Sequence, residues 1–115
     1  MRMRKGAIVD SRRKGHPVRH LVGFPEELSP GVPREVLPLA DFVVLEGDDS
    51  GFYLYRYSAR DEFAGDTWHQ TLEEAHEQVE FEFGITESDW FEIPLEVPDS
   101  IEFVLARLRA ARSPS

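Results

Sequence analysis

Two β-favouring runs, Asp41 to Glu46 and Phe52 to Ser58, flank the pentapeptide Gly47-Asp48-Asp49-Ser50-Gly51, and this arrangement constrains the fold more than any other stretch. Gly, Asp and Ser supply the backbone freedom and local side-chain bonding of a tight turn, so the segment predicts an antiparallel hairpin. Strand alternation places Phe52 and Leu54 on one face and Tyr53, Tyr55 and Tyr57 on the other. Both faces of this strand are therefore apolar enough to be covered.

Helices follow. Thr71 with Glu74 three residues on reads as a capping box, and Leu72, Ala75, His76, Val79 and Phe83 fall on one helical stripe. Gly84 is placed to end that helix in the left-handed region, with Ile85 folding back on Val79. Asp89 to Ile93 predicts a short strand closed off by Pro94 and Pro98. Asp99 and Glu102 open a last helix striped by Ile101, Val104, Leu105 and Leu108. Upstream, Ala7 to Asp10 and Val18 to Gly23 predict a first hairpin around Ser11-Arg12-Arg13-Lys14-Gly15, and the proline-rich Phe24 to Pro38 predicts coil. The order ββ, coil, ββ, α, β, α predicts an α+β fold, an antiparallel sheet of about five strands with two helices packed on one face. Residues 1–112 form one domain in this reading, and 113–115 a disordered tail.

Charge is sorted along the chain. Residues 1–20 hold seven Lys/Arg against one acid, residues 21–98 three against nineteen, and the net charge is −9. The acidic middle repels polyanions, which argues against nucleic acid as a partner despite the basic start. With no cysteine, disulfides and thiolate chemistry are excluded. No apolar run suits a secretory signal or a membrane span, so a cytoplasmic location is the expectation.

Val32 to Asp41 and Gly65-Asp66-Thr67-Trp68-His69, with Leu72-Glu73-Glu74-Ala75 and Trp90, resemble a group of small bacterial proteins marked by Gly-Asp-Thr-Trp-His ahead of a helix. The resemblance covers roughly residues 32–94, implies a bacterial origin and brings no activity with it.

Asp66, Thr67, Trp68 and His69 gather an acid, a hydroxyl, an indole and an imidazole before a helix start, where an anionic ligand could sit; the other reading is a plain turn with Trp68 packed under the helix. His76-Glu77-Gln78-Val79-Glu80 approaches the zinc-protease pattern, but Glu80 stands where the second imidazole belongs, so no metal is expected and His76 reads as a rim residue contacting carboxylates. No catalytic set and no cofactor motif is present. Phe81 and Phe103 fall opposite their helices' apolar stripes and, with Tyr53, Tyr55 and Tyr57, either meet another chain or are buried by a second layer.

Two functional expectations follow. The first is a small acidic, non-enzymatic binding protein, inhibitor- or immunity-like, in which Glu73, Glu77, Asp61 and the aromatics engage a basic protein or a second copy as a homodimer. The alternative is a small-ligand module or minor enzyme centred on Asp66 to His69.

Overall fold

The computed structural model describes residues 2–10, 15, 21–22 and 35–112. Its elements are β1 (Met3–Ile8), β2 (Leu21–Val22), β3 (Glu35–Val36), β4 (Phe42–Asp48), β5 (Gly51–Tyr57), β6 (Phe63–His69), α1 (Leu72–Phe83), a 3-10 turn at Glu87–Asp89, β7 (Phe91–Glu92) and α2 (Ser100–Arg112). Five strands form one antiparallel sheet in the order β6-β5-β4-β1-β7. The fold is α+β, as the element pattern predicts.

The central hairpin matches its expectation. β4 and β5 pair from Phe42↔Tyr57 to Asp48↔Gly51, leaving Asp49 and Ser50 as the turn. The Asp48 carboxylate accepts the Ser50 amide and hydroxyl, and these bonds hold its pKa below the ordinary carboxylate value.

The helices differ from expectation in their placement, since they divide between the two faces of the sheet. Ala75, Val79 and Phe83 of α1 pack with Ala7, Val43, Leu45 and Leu54. Val104, Leu105 and Leu108 of α2 pack with Phe42, Val44 and Ile93. Val43 and Leu45 alternate with Phe42 and Val44 along β4, so the two clusters lie on opposite sides. Four consecutive buried residues, Phe42 to Leu45, record this double coverage. At 12 residues α1 is too short to be stable alone, and burial of its stripe at about 1.5–3 kcal/mol per large side chain holds it.

The helix ends largely follow the sequence signals. Thr71 Oγ1 accepts the Glu74 amide at 3.2 Å, although the Glu74 carboxylate reaches back to the Gln70 amide rather than to Thr71, so the capping box is half made. Gly84 takes φ 68° and donates its N–H to the Glu80 carbonyl. Asp99 Oδ1 accepts the amides of Ile101 and Glu102.

Three corrections concern strands. β1 lies between β4 and β7, while β2, the described part of the Val18 to Gly23 run, pairs with β3 in a separate two-stranded sheet rather than with β1. Its alternation, with Lys5 and Ala7 toward α1 and Arg4 and Gly6 toward α2, suits a buried strand despite the charges. The Asp89 to Ile93 strand is reduced to β7, because Thr86 and Asp89 close a capping box around the preceding 3-10 turn. The acidic stretch Arg60 to Asp66, whose composition predicts a loop ahead of the helix, is strand β6 from Phe63 onward. The expected Ser11-Arg12-Arg13-Lys14 turn, most of the proline-rich coil and the 113–115 tail lie outside the described residues.

Candidate functional site

Strand β6 decides where the aromatic side chains go. Its ladder with β5 runs Phe52↔His69, Tyr53↔Trp68, Leu54↔Thr67, Tyr55↔Asp66 and Arg56↔Gly65, then shifts so that Tyr57 faces Phe63. Ala64 is the extra residue of this bulge, next to Gly65 at φ 116°. Strict alternation would put Phe63 on the α1 face with Gly65, Thr67 and His69. The bulge turns it to the opposite face, where its ring meets Tyr57 edge-on with centroids 5.7 Å apart.

The result is a continuous aromatic row. Tyr53 and Tyr55 stack at 6.0 Å, Tyr57 stacks on Phe42 at 5.8 Å, and Trp68 lies across the ladder from Tyr53. This is the α2 side of the sheet, but α2 packs over β1 and β4 and leaves β5 and β6 largely open. Tyr53 is 48% exposed and Trp68 52%. Tyr55 and Tyr57 are half-buried at the margin of the α2 cluster. Gly51, at φ 149°, makes room for the indole: a Cβ there would stand 2.4 Å from Trp68 Nε1.

Carboxylates surround this row. Burial first, then Glu46 and Asp66, push the Tyr55 hydroxyl above its ordinary pKa; burial first, then Asp61, Asp99 and Asp66, do the same for Tyr57. Both phenols therefore stay protonated at neutral pH and can donate hydrogen bonds.

Beside the row lies a cavity of about 380 Å³, walled by Arg2, Arg4, Glu46, Tyr55, Tyr57 and Asp99. Arg4 is 7% exposed; its terminal nitrogens donate to Ser100 Oγ at 2.8 Å and to the Pro94 carbonyl, and its Nε has no acceptor.

The four residues singled out before the helix do not converge. They form the end of β6, with Asp66 and Trp68 on the aromatic face and Thr67 and His69 on the α1 face. Thr67 Oγ1 accepts from both terminal nitrogens of Arg56 and is 2.7 Å from His69 Nε2. With its lone pairs facing the guanidinium, the hydroxyl is set to donate to a neutral imidazole, in keeping with a His69 pKa lowered by burial and then by Arg56. Arg56 in turn pairs with Glu82, both side chains fully buried.

The other aromatics and acids separate as well. Phe103 is partly buried against the α2 cluster. Glu73, Glu77 and Phe81 are exposed on α1, across the sheet from the tyrosines, so the expected interaction residues fall on two surfaces. Among the described residues His76 makes no ion pair with a carboxylate: its ring stacks on Trp90 at 5.4 Å, and burial first, then Lys5, lower its pKa. The Lys5 ammonium lies 5.4 Å from the Trp90 ring centroid, and burial is the main cause of its own lowered pKa.

Sequence reasoning missed Phe63, Arg4, Glu46 and Asp99. Phe63 needed the bulge to be known, and Arg4 stood among the seven Lys/Arg of the basic start, where nothing in the sequence sets it apart. Among the described residues no group of three or more His, Asp or Glu is placed to hold a metal ion, and no helix is long and apolar enough to cross a membrane. Comparison with protein-family models, curated proteins and solved structures finds no match to this chain.

Proposed function

We propose that this is a binding protein that engages a cationic segment of a partner protein on the open face of β5 and β6, in the manner of a stoichiometric inhibitor. One observation carries the reading: an aromatic row, with Tyr53, Phe63 and Trp68 exposed and Tyr55 and Tyr57 half-buried, is bordered by Glu46, Asp61, Asp66 and Asp99. Aromatic rings offer large contact area and faces that attract ammonium and guanidinium groups, while the carboxylates steer such groups inward. A basic partner fits better than a second copy. A two-fold contact through this face would oppose the same carboxylates on a chain of net charge −9.

The test is a titration with a fluorescent peptide of about ten residues that alternates Arg/Lys with aromatic residues, at about 50 mM and about 300 mM salt. Saturable binding that weakens with salt is expected. Tyr53→Ala or Trp68→Ala should each weaken it about tenfold or more, as central aromatic anchors do. Glu73→Lys and Glu77→Lys, across the sheet, should change it less than either aromatic substitution. Binding indifferent to Tyr53→Ala and Trp68→Ala would overturn the proposal.

A further inference from the structure

Among the described residues two arginines are buried, and they have opposite fates. Arg56 has an acceptor for each of its five N–H groups: Nε and Nη2 reach Glu82, both terminal nitrogens reach Thr67, and Nη1 also reaches the Leu54 carbonyl. Arg4 is nearly as deeply buried, yet its acceptors are one hydroxyl and one carbonyl, both neutral, and its Nε has none. Among the described residues no carboxylate lies within ion-pair distance of it, Glu46 across the ladder included. A desolvated guanidinium without a counter-ion is costly, and such charges are normally paired. Arg4 also helps to wall the 380 Å³ cavity, at whose edge Arg2 adds a second cation and the N-terminus of α2 supplies Ser100.

The remaining wall is of opposite sign. Glu46 and Asp99 stand there with the phenol groups of Tyr55 and Tyr57. A simple anion would be attracted by Arg4 and Arg2 and repelled by these two acids. A group carrying a carboxylate and a cation a few bonds apart satisfies both halves of the cavity.

We infer that this cavity is a subsite for the free C-terminal residue of the partner's basic segment, a Lys or Arg whose α-carboxylate pairs with Arg4 and Arg2 while its side-chain cation meets Glu46 and Asp99. The inference rests on the proposed binding face, from which Tyr55 and Tyr57 extend into the cavity wall. A peptide that crosses the aromatic row from β6 toward β4 would end there.

Paired peptides test it: one basic, aromatic sequence ending in Arg, synthesised once with a free C-terminal acid and once as the amide, each titrated against the full-length protein. General attraction to a chain of net charge −9 favours the amide, which carries one more net positive charge, so preference for the acid requires a specific carboxylate contact. The acid should bind at least about tenfold tighter, equal to about 1.4 kcal/mol. Arg2→Ala, at an exposed position, should reduce that preference without changing the melting temperature. Arg4→Lys should reduce it further, with the melting temperature recorded because Arg4 also ties Pro94 and Ser100 to β1. Equal or weaker binding of the acid overturns the inference and, if Tyr53→Ala still weakens both peptides, leaves the binding-face reading standing. If neither the acid nor the amide binds, both the inference and the binding-face reading are overturned.

Discussion

Replacing Glu82 with Gln removes one charge from a pair that solvent does not reach, and the cost can be worked from the contacts. The Glu82 carboxylate accepts from Arg56 Nε at 2.9 Å, Arg56 Nη2 at 2.5 Å and Gln78 Nε2 at 2.6 Å. A glutamine has one oxygen for these donors, and whichever way its amide turns, its NH₂ points at an N–H. The guanidinium is left with Thr67 and the Leu54 carbonyl, neutral acceptors that do not replace the lost counter-charge. Breaking such a pair from one side costs about 3–5 kcal/mol, a large share of the about 5–15 kcal/mol that holds a typical domain. At about 4 °C per kcal/mol for a domain of this size, the melting temperature should fall by about 12–20 °C. Urea unfolding followed by circular dichroism should show a lower midpoint at unchanged slope. Arg56→Met combined with Glu82→Leu should recover most of the loss, since an apolar pair leaves no stranded charge. A Glu82→Gln loss below about 1 kcal/mol, or a double variant as unstable as the summed singles, would refute the reasoning.

Stability should also fall as pH drops through the histidine range. Burial is the first cause of the lowered pKa of both His69 and His76, so the unfolded chain takes up protons that the folded one resists. The stability they contribute is complete above the unfolded value of 6.5 and is lost below it, toward their lower folded values. Denaturation midpoints measured between about pH 7.5 and about pH 5.5 should show this slope, and His76→Phe, which keeps a ring against Trp90, should flatten it. Gly6→Ala should destabilise by about 1–3 kcal/mol, because the new methyl would stand 2.6 Å from Val104 Cγ2 and 3.1 Å from Phe91 Cε2. Val104→Ala in the same chain should relieve part of that loss in the same urea titration.

Local signals were legible wherever neighbours in sequence interact. The β4–β5 hairpin, both helices, the Thr71 and Asp99 caps and the Gly84 stop follow from turn composition, helical spacing and capping chemistry. What failed depended on distant partners. β1 is identified as a strand by β4 and β7, more than thirty and eighty residues away, and its Arg4 and Lys5 hide it in a basic run. β6 looks like an acidic loop until the Ala64 bulge and the β5 ladder are known. The separation of the helices was encoded in Phe42-Val43-Val44-Leu45, because four consecutive apolar residues in a strand ask for cover on both sides. The same distance effect hid the candidate site: Glu46, Asp61, Asp66 and Asp99 become one border only when α2 returns to the sheet.

Geometry obliges part of this sheet to remain open, but it does not choose the side chains found there. A helix is about 10 Å across and strands lie about 4.8 Å apart, so one helix shields about two strands of a face. α1 lies over β5 and β6 on its side, α2 over β4 and β1 on the other, and the α2 side of β5 and β6 is left over. A strand surface facing only water is well served by Thr, Lys and Glu, as the polar face of an amphipathic sheet ordinarily is. This one presents Tyr53, Tyr55, Tyr57 and Trp68 at alternate positions, with Phe63 turned onto the same face by a bulge and Gly51 left without a side chain where the indole lies. Burial against α1 or α2 does not account for Tyr53 and Trp68, each about half exposed, and strand propensity alone would have been met by Thr or Val. Under the proposed function both residues are contacts of the cationic partner, and the carboxylate border is what selects its sign.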